Sequence, residues 1–227
     1  MNLSKRKKFD AELHRFLDKH AQAFPDQQWI PFWATTHKNG RGHPLKAKLL
    51  IIGFNPSAGV DEDWFKFWDP HTGFDMVKFQ NARSLSVQLH NQVPGNKQKR
   101  DISKTREKIN LLAESTIRPG ATYVNTNVYW AVSSRAQLLS NKYPAPLLWL
   151  LQRVPGDALI VVHGAPAKRA YRKLKNTYPY LPDPVEAARH LSIISNDDFA
   201  DLKKQIRARL KRKRSIIRSQ ARRVCRL

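Results

Sequence analysis

Residues 49–57, Leu-Leu-Ile-Ile-Gly-Phe-Asn-Pro-Ser, constrain the fold more than any other stretch of this 227-residue chain. An apolar run rich in β-branched side chains ends at Gly53, and a polar Asn55 follows, held by Pro56. Such a run reads as a buried parallel strand. It would deliver a side chain to the carboxyl edge of an open α/β sheet, where ligands bind. Gly53 permits a close approach that larger residues forbid, and Pro56 fixes φ and stiffens the turn.

Strand-like and helix-like stretches alternate through the rest of the chain. Ala121–Val128 reads as a second strand with Asn127 near its end, and Ala158–His163 as a third, followed by Gly164. A short fourth strand is expected before or within Ala187–Ile194. Ser103 is placed to cap a helix to about Thr116, Pro146 opens one over Ala145–Val154, and another covers Pro166–Asn176. Near the start, Phe9, Leu13, Phe16, Leu17 and Phe24 share a face of a helix over residues 5–24, and a Trp-rich connector follows. Residues 61–74 and 88–104 read as loops, the first acidic and aromatic, the second basic. Strands alternating with helices of this length define parallel βαβ units. The expected fold is a three-layer α/β/α sandwich on a short, about four-stranded parallel sheet. Residues 45–196 would form this domain, with residues 1–44 (helix and connector) and 197–227 (basic helix) as extensions.

The formal charge is +23, from 41 Lys and Arg against 18 Asp and Glu. Lys203–Leu227 holds twelve of the basic residues and no acidic one; the remaining 29 still outnumber the 18. Leu202, Ile206, Leu210, Ile217, Ala221 and Val224 recur there at helical spacing. That predicts a helix docked by one stripe, with Arg207, Lys211, Arg214 and Arg218 facing outward. Such a surface attracts polyanions by steering and counterion release, so nucleic acid, DNA or RNA, is the expected partner, with an anionic membrane surface as the main competitor. No apolar run approaches the roughly 20 residues that span a bilayer, and no membrane partner is expected. The start, Met-Asn-Leu-Ser-Lys-Arg-Lys-Lys, lacks the apolar segment of a secretory signal. Cys225 is the single cysteine, which excludes internal disulfides and multi-cysteine zinc or iron–sulfur sites. A reducing compartment follows as the expectation: cytoplasm or nucleoid, or nucleus in a eukaryote. A monomer is expected.

Four motifs then fall in order. Gly53-Phe-Asn-Pro-Ser57 follows the first strand, Asn125-Thr-Asn-Val128 ends the second, His163-Gly-Ala-Pro-Ala167 follows the third, and Arg189-His-Leu-Ser192 comes last. Over roughly residues 45–195 this order resembles the uracil-DNA glycosylase superfamily. In that family a Gly-x-Asn/Asp-Pro motif, a strand-ending Asn, a Gly-x-x-Ala helix start and a His-Pro-Ser loop follow successive strands of a small parallel sheet. The Asn-Pro form is similar to the mismatch-specific and single-strand-selective branches, and the cysteine count rules out the iron–sulfur branches. Two positions depart from the pattern. The last motif reads His190-Leu-Ser, and Ser57 stands where the most uracil-specific branch places a Tyr that blocks thymine's methyl group.

The resemblance implies hydrolysis of the N-glycosidic bond of uracil, or of a related deaminated or mismatched base, in DNA, with no cofactor and no metal. The target nucleotide must leave the stack or already be single-stranded. Asn55 would position the water; its amide is not a useful base, so the reaction would lean on departure of the base. His190 would donate to the departing oxygen, a contribution typically worth about 3 kcal/mol. Asn127 would read the base edge with a donor–acceptor pair; Asn125 shares its sheet face in a regular strand and is the alternative reader. Phe74 would stack on the extruded base, as the family's Phe does. Gly53, Phe54, Pro56, Ser57 and Ser192 would complete the substrate pocket, and Arg189 would contact a phosphate.

Other chemistries find weaker support. Asp61, Glu62, Asp63 and Asp69 concentrate acid near the first motif but lack ligand spacing, and read as a solvated loop. His71 and His163 have no partner pattern for zinc. Neither a Gly-x-x-x-x-Gly-Lys-Ser/Thr loop nor a Gly-x-Gly-x-x-Gly fingerprint is present, which argues against nucleotide hydrolysis and dinucleotide redox chemistry. No lysine sits in a motif suited to Schiff-base chemistry, so the glycosylase would be monofunctional. The alternative is a non-catalytic nucleic-acid-binding protein that keeps this fold and grips DNA or RNA with its basic extensions.

Overall fold

The computed structural model describes residues 3–22, 28–36, 40–54, 60, 62–130, 132 and 145–224, with backbone only at 21, 214 and 216–224. Its strands are β1 (Phe32–Thr35), β2 (Arg41–Gly42), β3 (Ala47–Gly53), β4 (Trp68–Asp69), β5 (Gly73–Asp75), β6 (Thr122–Asn127), β7 (Leu159–Val162) and β8 (Val185–Glu186). The α-helices are α1 (Leu3–Ala21), α2 (Met76–Gln92), α3 (Lys104–Thr116), α4 (Ala145–Leu151), α5 (Ala165–Thr177) and α6 (Asn196–Val224).

The apolar run of β3 lies at the centre of a five-stranded sheet ordered β1-β6-β3-β7-β8. Strands β6, β3, β7 and β8 are parallel, and β1 closes one edge antiparallel to β6. The sheet thus has one strand more than expected: the Trp-rich connector supplies β1, whose four residues are all buried. Among the parallel strands the chain runs first to one side of β3 and then to the other. The reversal between β3 and β7 is a topological switch point, and the carboxyl ends of strands there are where α/β sheets bind ligands.

Alternation along each strand divides the core in two. One cluster holds Leu50, Ile52, Val124, Ile160 and Val162 with side chains from α1, α4 and α5, including Phe9, Leu13, Leu147 and Tyr171. The other holds Leu49, Ile51, Tyr123, Leu159 and Val161 with Ile109 and Leu112 of α3, and Phe199, Leu202, Ile206 and Leu210 of α6.

The terminal segments are therefore not appendages. Residues 1–44 contribute buried α1 side chains and an edge strand, and α6 begins at Asn196 and covers the second cluster. Phe199, Leu202, Ile206 and Leu210 recur at helical spacing, and burying each contributes about 1.5–3 kcal/mol. A boundary at residue 197 would cut through this core. Other helix ends follow local chemistry. Ser103 Oγ accepts from Arg106 N at 3.2 Å and starts α3. Asp75 Oδ1 accepts from Lys78 N at 3.1 Å and starts α2, a helix that runs into the stretch expected as a basic loop.

Residues 62–75 correct a second expectation. They fold into a short 3₁₀ turn (Trp64–Phe67) and the strands β4 and β5, which join β2 in a small sheet. Phe74 is fully buried there, stacked on Trp64 at 5.6 Å and packed against Phe79 at 5.7 Å. Its faces belong to the core, so it offers no platform for a base.

Candidate functional site

Three polar or bare positions line up on one rung of the sheet. Gly53 ends β3 in register with Asn127, which ends β6. On the other side Ile52 is paired with Val162, and the next residue, His163, donates its N–H to Ile52 O at 3.1 Å. Strand parity points Asn127, Gly53 and His163 to the same face, the one covered by α3 and α6. The glycine leaves a bare place that the side chains on either side face. A Cβ at position 53 would lie 2.6 Å from Asn127 Oδ1 and 3.3 Å from His163 Nε2. The two polar side chains thus converge over Gly53, whose own backbone is held by Val128 N on its carbonyl at 3.0 Å.

His190 is brought to this rung by the connection from β8 to α6. It caps the 3₁₀ turn Leu191–Ile193, and its ring meets the His163 ring at 4.7 Å between centroids. Gly164 makes this approach possible: it has φ +82°, and a Cβ there would stand 3.2 Å from His190 Cδ2. Lys168 on α5 ties the same connection down, donating to Ala187 O at 2.8 Å and Ala188 O at 3.3 Å. His190 Nδ1 accepts from Ser192 N at 3.3 Å and lies 2.8 Å from Ser192 Oγ. An amide N–H can only donate, so Nδ1 is the acceptor and the proton of the neutral ring sits on Nε2. Burial lowers the His190 pKa below its ordinary value and keeps the ring neutral near pH 7.

His163 is the residue that motif reasoning overlooked. It is 2 % exposed, and neither ring nitrogen has a hydrogen-bond partner among the described residues. Burial first, and the neighbouring His190 second, push its pKa down to about 3. One signal in the chain could have found it. His163 is a polar side chain immediately after the apolar run Leu159-Ile-Val-Val162 and before a glycine, the same pattern that singled out Asn127.

The remaining candidates divide. Ser192 and His190 are together, and Asn127 and Gly53 are on the rung. Asn125 shares the face but is 5 % exposed and donates Nδ2 to Ile51 O at 3.2 Å, so its amide serves the sheet and reads no base. Phe54 is partly buried at the carboxyl edge, with its ring edge-on to Tyr129 at 5.3 Å; it is the aromatic group nearest the rung in sequence. Asn55, Pro56 and Ser57 lie outside the described residues. Arg189 is exposed beside His190.

On α6, Lys211 is exposed, and the side chains of Arg214 and Arg218 lie outside the described residues. Arg207 faces out but donates Nε to Ser115 O at 2.9 Å, near the carboxyl end of α3. It is thus partly a docking contact, favoured by the helix dipole. Two of the acidic side chains cap turns: Asp63 Oδ1 accepts from Phe65 N, and Asp69 Oδ1 from His71 N and Thr72 N; Glu62 pairs with Lys66 at 3.3 Å, and Asp61 lies outside the described residues. Among the described residues no group of three or more His, Cys, Asp or Glu side chains is placed to hold a metal ion. No helix among them is long and apolar enough to cross a membrane. Comparison with protein-family models, with curated proteins and with solved structures finds no match.

Proposed function

We propose that this chain is a monofunctional DNA-base glycosylase, built as a three-layer α/β/α sandwich, that excises uracil or a related deaminated base. The observation that carries the reading is the rung Asn127–Gly53–His163 beneath His190, at the switch point between β3 and β7. Helices α1, α4 and α5 on one cluster and α3 and α6 on the other support the layering. The +23 charge supports a polyanionic partner.

In the reaction the C1′–N bond breaks and its electron pair goes to the base. A water oxygen bonds to C1′, and the water's proton ends on the released base. His190 Nε2–H donates to the base oxygen where negative charge develops. Its Nδ1 contact with Ser192 holds the ring so that this donor is already oriented. Asn55, two residues beyond Gly53 in the chain, has the amide that would hold the water. No strong base takes part, so bond breaking runs ahead of water attack.

The test is a labelled oligonucleotide carrying one deoxyuridine, a thymine mismatch, hypoxanthine or xanthine, incubated with protein and then treated with alkali. Scission by the wild type should fall about 10²–10³-fold in His190→Ala and disappear in Asn55→Ala. Intact strands across the whole panel would reject catalysis and leave a nucleic-acid-binding protein.

A further inference from the structure

We propose that His163 is a base-reading residue: with Asn127 it forms an uncharged donor–acceptor pair over Gly53 that takes the N–H/C=O edge of a lactam or imide base. That the base arrives attached to DNA rests on the glycosylase reading above; the pairing itself rests on the rung.

A buried polar group without a partner is uncommon, because it forfeits its bonds to water and gains none in return. His163 has two such atoms, Nδ1 and Nε2, on a side chain that is 2 % exposed. The other buried histidine, His43, shares the feature at Nε2 but differs at Nδ1, which accepts from Leu45 N at 3.2 Å, and its ring packs against Phe9 and Trp68. No comparable bond among the described residues explains the His163 ring. Its position explains it better. Nε2 faces the one place on the rung without a side chain, and Asn127 Oδ1 faces the same place from the opposite strand.

The chemistry of the pair selects the ligand. A neutral imidazole offers one donor and one acceptor, and so does a carboxamide. Because neither His163 nitrogen is engaged among the described residues, the ring can take whichever tautomer the ligand requires. Adjacent N–H and C=O groups on one heterocycle edge would satisfy both side chains. Among the described residues, the ionisable neighbour that acts on His163 is another imidazole, His190, and not a carboxylate, which favours an uncharged edge.

The experiment compares full-length wild type with His163→Phe and His163→Gln. Thermal melting is followed with and without free uracil or free hypoxanthine, and excision is measured on the deoxyuridine strand. Phenylalanine replaces two unpaired polar atoms with carbon, so the variant should melt about 2–4 °C higher. It should lose the shift caused by free base and excise at least about tenfold more slowly. Glutamine keeps a donor and an acceptor, and should retain the shift and most of the excision. A free-base shift undiminished in His163→Phe would overturn the assignment. If His163→Phe does not fold, His163→Ala carries the same comparison of free-base shifts. Should the wild type excise nothing from any strand, the glycosylase reading fails. The pair then stands if free base shifts wild type and not His163→Phe, and falls if wild type does not shift.

Discussion

Gly53→Ala separates the fold from the site at a single position. Gly53 has no positive φ, so an alanine fits the backbone of β3 without strain. The new methyl would lie 2.6 Å from Asn127 Oδ1, where ordinary contact begins at 3.4 Å, so the amide must retreat by the 0.8 Å difference. His163 Nε2, at 3.3 Å, needs almost no adjustment. The clash falls on the end of a side chain, and the β3 backbone keeps its bonds. Replacing glycine also narrows the unfolded ensemble, which stabilises by about 0.4–1 kcal/mol and offsets the crowding. Net stability should therefore change by no more than about 1 kcal/mol, or about 2–4 °C in melting temperature. Function should respond differently, since a misplacement near 1 Å at a reacting centre lowers rates by about 10²-fold. The assay is single-turnover excision from a deoxyuridine strand, run beside a thermal melt. Wild-type excision in a folded variant would refute the role of Asn127. A melting point lowered by more than about 10 °C would show instead that its amide cannot yield and is a structural group.

Gly164→Ala should act through both backbone and site: φ +82° strains any side chain, by about 1–3 kcal/mol, and the methyl pushes on His190. Melting and excision should fall together, and a fall in only one would contradict the geometry. Acidification should destabilise the protein. His43 and His163 have folded pKa values of about 4 and about 3, below the unfolded value of 6.5. The unfolded chain therefore takes up protons that the folded one refuses, and stability is lost as pH falls below 6.5. At pH 5 each should account for about 2 kcal/mol, and His163→Phe should remove about half of the combined loss, read from melts between pH 7 and 5. Phe74→Ala should destabilise by about 3–5 kcal/mol as a core truncation; a folded, stable variant impaired only in base binding would restore the stacking role. Charge reversal of the exposed Lys211 and Arg212 to Glu should weaken nucleic-acid binding and lower the salt slope by about 0.9 for each phosphate that is no longer neutralised. An unchanged slope would remove that stretch from the interface.

The legible parts of the chain were those whose signals are local. The β3 run, the Ser103 cap and the glycine after β7 each announce themselves within a few residues. What escaped depends on distant partners. β1 carries no alternation because all four of its residues are covered, and only pairing with β6 makes Phe32–Thr35 a strand. Helix α2 buries Met76, Phe79 and Val87 but leaves Val77, Leu85 and Leu89 exposed, so its apolar periodicity is blurred. The start of α6 has a signal, the acidic pair Asp197 and Asp198 in its first turn, but the basic run that follows masks it. Phe74 stands out only by its order among motifs, and order alone does not say which way a side chain faces.

The chain carries +23, yet its candidate site is built from Asn127, His163, His190 and Ser192, none of them charged near neutral pH. Surface charges act over about 8 Å at physiological ionic strength. They can gather a polyanion and raise affinity for every sequence alike, but they cannot tell one base edge from another. Discrimination must come from groups for which a wrong partner leaves a buried donor or acceptor unmet, at about 1–3 kcal/mol each, or roughly 5–150-fold. On the glycosylase reading proposed above, the two roles are thus separable by mutation. Reversing charge on α6 should lower excision from all substrates by one common factor, which added enzyme restores. Altering His163 should change the ranking among uracil, hypoxanthine and xanthine, and added enzyme should not restore it. If the basic helix changed the ranking and the rung did not, recognition would lie in the DNA contacts, and the neutral pair would be reduced to packing.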